Sequence, residues 1–173
     1  MPIRRCTPAD LDAIFVVIDD AAIAYRGAIP SDRWKEPYMP MSELHQEIEA
    51  GVVFWGMFEE AGLEAVMGLQ DVSDVALVRH AYTRTTSQGR GLGKALLRHV
   101  LGQTERPVLI GTWAAATWAI AFYESQGFRL VDGPVTESLL RRYWSIPARQ
   151  IEESVVLVDA RWRGIVQGAG SAA

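Results

Sequence analysis

Between residues 88 and 94 the chain reads Gln-Gly-Arg-Gly-Leu-Gly-Lys, and Ala95-Leu-Leu-Arg-His-Val-Leu101 follows at once. Glycines at alternate positions let the backbone take conformations closed to other residues, and the apolar spacing after them is helical. Such a turn opens an amphipathic helix with several backbone N–H groups gathered at its positive end. That geometry receives an anion, a pyrophosphate above all. The preceding segment, Val75 to Tyr82, is an apolar strand. Two familiar phosphate motifs do not fit. A P-loop requires Ser or Thr after Gly-Lys, and Ala95 stands there; the dinucleotide fingerprint requires a third glycine where Leu96 stands.

The other elements read as follows. Ile3-Arg4-Arg5 is a short first strand, and Thr7 caps a helix reaching about Ala24, with Pro8 in its first turn. Residues 25 to 40, with Gly27 and three prolines, form a loop that covers something. Ser42 caps a second helix that Gly51 ends. Val52–Phe58 and Leu63–Val72 make a hairpin, followed by the strand from Val75, the glycine turn and its helix. A strand over Val108–Thr112 and a helix over Thr117–Gln126 come next, with Gly127 as terminator. Leu139, Leu140, Tyr143 and Trp144 share a face in a short helix over 136–145, and Ser154–Val158 is the last strand. The order β-α-α-β-β-β-α-β-α-β-β puts a mixed, mostly antiparallel central sheet between helices, an α/β architecture. It occupies a single domain over residues 1–167, with 168–173 a flexible tail.

At 173 residues the chain can bury a core of its own, and its net charge of −4 with no run of Lys or Arg speaks against a nucleic-acid partner. No apolar run is long enough for a bilayer and no leader is visible, so neither membrane nor export is expected. The single cysteine, Cys6, excludes an internal disulfide and reads as a small buried residue; the chain is read as cytoplasmic.

The spacing Gln88-x-x-Gly91-x-Gly93 resembles the acetyl-CoA motif of the GNAT superfamily of N-acetyltransferases. The downstream run Ala119-Ile-Ala-Phe122-Tyr123-Glu-Ser-Gln-Gly127-Phe128 is similar to that family's helix after its fifth strand. Together the two motifs span roughly residues 75 to 130. Ala116 stands where the family often has asparagine, with Thr117 as the substitute cap.

The resemblance implies the GNAT (acyl-CoA N-acyltransferase) fold and an acetyl-CoA-dependent N-acetyltransferase working by direct attack in a ternary complex, without a metal. Acetyl-CoA would be held by Tyr82 and Thr83 along the pantetheine and by Gln88, Gly89, Arg90, Gly91, Leu92, Gly93 and Lys94 at the phosphates, with Thr117 and Phe122 beside them. Tyr123 stands where the family has its general acid or thiolate hydrogen-bond donor. The strand before the turn carries no carboxylate, so His80 is the candidate base, on the face of Tyr82 by alternation. It is equally readable as a structural group beside Arg79, and Asp71 and Asp74 are fallback bases at the hairpin end. For the acceptor, Tyr25, Asp32, Trp34 and Glu36 in the 25–40 loop suit a small-molecule amine or an amino-acid-like substrate. An acyl-CoA-binding sensor without catalysis is the alternative. Apolar residues between Leu139 and Val158 fit either a homodimer interface or the monomer's own sheet.

Overall fold

The computed structural model describes residues 2–165, so the expected tail lies outside the described residues. One seven-stranded sheet has the order β1-β2-β3-β4-β5-β7-β6. Its strands are β1 (Ile3–Arg5), β2 (Val53–Glu59), β3 (Gly62–Val72), β4 (Val75–Thr83), β5 (Val108–Trp113), β6 (Arg129–Leu130) and β7 (Ser154–Val158). Only the β4–β5 pair is parallel. Helix α3 (Leu92–Leu101) is the crossover between those two strands, and α4 (Thr117–Ser125) follows β5. The mixed, mostly antiparallel sheet read from the sequence is the one observed.

Alternation along the strands assigns the helices to faces. Met67, Leu69, Ala76, Val78 and Ile110 pack against Leu92, Leu96, Leu97 and Val100 of α3 and Tyr123 of α4. On the other face, helices α1 (Leu11–Ala22) and α2 (Met41–Glu49) bury Ile14, Val17, Ile18 and Leu44 against Phe54, Leu63 and Val66. Beside them, α5 (Gly133–Tyr143) and α6 (Ala148–Glu152) put Leu139, Leu140, Tyr143 and Ile151 on Leu77, Leu109, Val156 and Val158. Strand β3 is buried on both faces from Leu63 to Gln70, which explains its nearly unbroken apolar run.

Several local expectations change. The first helix starts as a 3-10 turn at Pro8–Asp10, where the Thr7 N–H donates to Asp10 (2.7 Å), and α2 begins at Met41 after Pro40, one residue before Ser42. Thr117 is the first residue of α4 and does not cap it; Ala116 holds the cap position and gives no side-chain bond. The short helix expected at 136–145 starts earlier, because the Asp132 carboxylate accepts from the Val135 N–H (3.0 Å). The apolar segment from Leu139 to Val158, which fitted either a homodimer interface or the monomer's own sheet, packs in the sheet and under it, with β7 between β5 and β6. No described helix is long and apolar enough to cross a membrane.

Candidate active site

The glycine turn is built as its sequence requires. Gly89 and Gly91 both have φ of +77°, the left-handed region, and Gly91 caps α3. The Ala95 N–H donates to the Gly91 carbonyl (3.1 Å), so the N–H groups of Leu92, Gly93 and Lys94 precede that helical bond and face outward. The turn is held from behind by three elements. Asp20 of α1 accepts from the Thr85 N–H (2.7 Å) and hydroxyl (3.1 Å). Buried Glu64 of β3 accepts from the Ser87 hydroxyl at 2.6 Å. Arg90 turns away to Glu59 of β2 at 2.7 Å.

The second feature is a parting of strands. Pairing of β4 with β5 stops at Val78–Ile110, although β4 runs on to Thr83 and β5 to Trp113. The register of β4 against β3 shifts at the same point, from Gly68 opposite Arg79 to Val66 opposite Tyr82, so β4 carries one extra residue. His80 takes that bulge with φ of +52°. Gly68 makes room for it, since a Cβ there would come within 2.9 Å of the Arg79 carbonyl oxygen.

Turn and parting open into one cavity of about 720 Å³. Of the residues expected to hold the cofactor, Tyr82, Thr83, Gln88, Gly89, Gly91, Leu92, Gly93, Lys94 and Phe122 line it. Arg90 and Thr117 do not; the first is drawn to Glu59, and the second lies exposed at the start of α4. Among the described residues no group of three His, Cys, Asp or Glu is arranged for a metal ion.

Both expected catalytic side chains line the same cavity. Tyr123 is 6% exposed, and burial, reinforced by the nearby Tyr25, pushes its hydroxyl well above the ordinary tyrosine range. His80 lies with its Nε2 2.7 Å from the Glu47 Oε2 on α2, and Arg79 is ion-paired with the same oxygen at 3.1 Å while donating to Oε1 at 3.5 Å. Arg79 also donates to the Gln70 side chain (3.0 Å), which in turn donates to the Ala50 carbonyl (2.9 Å). Burial alone would raise the Glu47 carboxyl; the hydrogen bond with His80 and the charge of Arg79 are among the influences that outweigh it and hold the group below its usual range. The His80 ring lies 6.0 Å from that of Phe54, and the bulge at His80 interrupts the alternation that put it on the face of Tyr82. The fallback acids are elsewhere: Asp74 accepts from the Tyr143 hydroxyl (2.7 Å), and Asp71 lies 3.8 Å from Arg106.

Of the expected acceptor residues, Tyr25 alone lines the cavity. Asp32 pairs with Arg149 of α6, and Glu36 accepts from the Trp34 indole N–H (3.0 Å) and lies 3.7 Å from Arg26. Asp32, Trp34 and Glu36 therefore shape the loop from outside the lining. In their place stand Tyr38 of the same loop and Trp113, Trp118 and Trp144, which the sequence did not assign to the acceptor. Trp144 rests on Gly111 of β5, whose missing Cβ would lie 3.1 Å from the indole ring.

Residues 50–130 match the family model of the acetyltransferase (GNAT) domain. No curated protein sequence matches the chain. Among solved structures, the PaiA N-acetyltransferase of Thermoplasma acidophilum in complex with coenzyme A is 17% identical, with a TM-score of 0.68 over 91% of this chain and 97% of that one. The ribosomal-protein-S18-alanine N-acetyltransferase of Escherichia coli is 18% identical, with a TM-score of 0.65 over 99% and 97%. A GNAT-family acetyltransferase of Streptococcus agalactiae is 11% identical, with a TM-score of 0.69 over 94% and 96%. The domain match spans the parted strands, the glycine turn and α4, so residues 50–130 are similar to the acetyltransferase (GNAT) domain, on a fold common to these structures.

Proposed function

We propose that this protein transfers the acetyl group of acetyl-CoA to the primary amine of a small molecule by direct attack in a ternary complex. The observation that carries the reading is one cavity joining the anion-binding turn, the parted strands, Tyr123 and His80. The amides of residues 91 to 94 would receive the pyrophosphate, with Lys94 adding charge. The pantetheine would lie between β4 and β5, where strand groups have lost their partners. An N–H near the bulge would polarise the thioester carbonyl.

The amine nitrogen attacks the carbonyl carbon, the C–N bond forms and the C–S bond breaks. His80, held by Glu47, accepts the amine proton, and the thiolate leaves toward the Tyr123 hydroxyl. Burial that raises this hydroxyl favours donation of a hydrogen bond over outright transfer of its proton, since an ordinary thiol is the stronger acid. The proton taken by His80 then returns through solvent to the thiolate. No metal enters this scheme. The loop at 25–40 and α6, joined by Asp32 and Arg149, border the acceptor end and favour a small molecule over a protein terminus. The setting is taken to be the cytoplasm.

Calorimetry with acetyl-CoA and CoA, using ATP as control, tests the cradle: micromolar binding of the first two is expected, and none of ATP. Tyr123→Phe tests the chemistry. Turnover with an accepted amine should fall about 10- to 100-fold, the value of one hydrogen bond to a charged group, while acetyl-CoA affinity stays within about twofold. Tight acetyl-CoA binding with no transfer to any amine would instead support the sensor reading.

A further inference from the structure

The acceptor end of the cavity has a composition that selects among amines. Tyr25, Tyr38, Tyr82, Trp113, Trp118 and Trp144 all line it. The rings of Tyr25, Tyr38, Tyr82 and Trp118 form one connected set. Tyr25 stacks on Tyr38 (5.7 Å between centroids, 10° between planes), meets Tyr82 edge-on at 6.4 Å and Trp118 at 5.5 Å. The Trp113 indole N–H donates to the Tyr38 hydroxyl at 3.3 Å, so polar tips are spent on one another and ring surface is left to face the cavity.

Charge is as informative as shape. Among the described residues no Asp or Glu lines the cavity. Its cations are Lys94, at the phosphate end, and Arg79, whose guanidinium is already bonded to Glu47 and Gln70. A second ammonium on the acceptor would find no carboxylate, and a carboxylate on the acceptor would find no free guanidinium. Either would stay unpaired in a recess walled by rings, a costly arrangement. Burial also keeps the wall neutral, with the Tyr25 hydroxyl pushed up to about 12 and that of Tyr82 raised too.

Resting on the acetyltransferase reading, we propose that the acceptor is an arylalkylamine: one primary amine on a short arm, carried by an aromatic body with no further charge. The ring lies against the aromatic wall, and the arm brings the amine toward His80 and the thioester.

The test compares phenethylamine, hexylamine, spermidine, lysine and a short peptide with a free N-terminal alanine as acceptors, following CoA thiol release and calorimetric binding of acetyl-CoA to the same preparation. The expected result is a kcat/KM for phenethylamine at least tenfold above each of the others. Trp118→Ala, on a 44% exposed ring that the fold can spare, should raise the KM for phenethylamine about five- to tenfold and leave acetyl-CoA affinity unchanged. Equal or faster transfer to any other member of the panel, or no transfer to phenethylamine by a protein that binds acetyl-CoA, overturns the arylalkylamine assignment alone. Failure to bind acetyl-CoA overturns the acetyltransferase reading beneath it.

Discussion

Gly91 and Gly93 look alike in the sequence and are unlike in the structure. Gly91 has φ of +77° with open space around its α-carbon, whereas a Cβ on Gly93 would meet only ordinary contacts at 3.7 Å from Phe122 and Thr83. The first needs glycine for its backbone, and the second has room for a methyl group. Gly91→Ala should cost about 1–2 kcal/mol in stability and weaken acetyl-CoA binding; Gly93→Ala should fold as the parent does. Urea denaturation and calorimetry on the two variants check the contrast. Glu47 invites a second test. Its carboxyl is lowered in the folded state, so the stability it lends is present above the usual carboxylate range and is lost as pH falls through the lowered value. Glu47→Gln should therefore lower stability at pH 7 by about 1–2 kcal/mol, a deficit that closes in acid, and should slow turnover by leaving His80 unheld. Denaturation curves at pH 7 and pH 3, with rates at pH 7, give both readings. These residues also mark how far the sequence could be read. The glycine spacing and Tyr123 were legible because local motifs carry them. Glu47 was not, being 33 residues from His80 with nothing in either neighbourhood to announce the pairing.

At the scale of elements, the glycine turn depends on a helix it never touches in sequence. Asp20 near the end of α1 accepts both the N–H and the hydroxyl of Thr85, 65 residues away, and so fixes where the turn begins. Asp20→Ala should weaken acetyl-CoA binding about three- to tenfold through a looser turn, with a stability loss of about 1 kcal/mol, as measured by calorimetry and thermal melting. Most strands and helices were legible from periodicity, though α5 starts three residues earlier than expected and α6 was not read. The bulge at His80 was not, because its cause lies on the neighbouring strand; Gly68, a glycine in mid-strand, is the signal that could have revealed it. Beyond Tyr25, the aromatic wall of the cavity was missed for a similar reason. Tyr25, Tyr38, Trp113, Trp118 and Trp144 come from separate stretches of chain, and only the tertiary fold brings them together.

For the whole molecule, all five tyrosines have hydroxyls raised above their ordinary value, burial being the first cause in each. The unfolded chain gives up these protons near pH 10 and the native state holds them longer, so their contribution is complete below pH 10 and shrinks as pH rises further. The urea midpoint should fall steeply between pH 9.5 and 11. Tyrosinate absorbance at 295 nm should appear with unfolding and not before it; a separate titration of the native protein near pH 10 would contradict the burial described above.

The parting of β4 from β5 beyond Val78 and Ile110 gives this sheet three margins instead of two. The outer margins, β1 and β6, are only three and two residues long, and offer little for another chain to extend. The third is internal, opening into the cavity beside α4. Unpaired strand groups that would invite aggregation at the rim of a sheet are, at its centre, turned inward on a recess of the same chain.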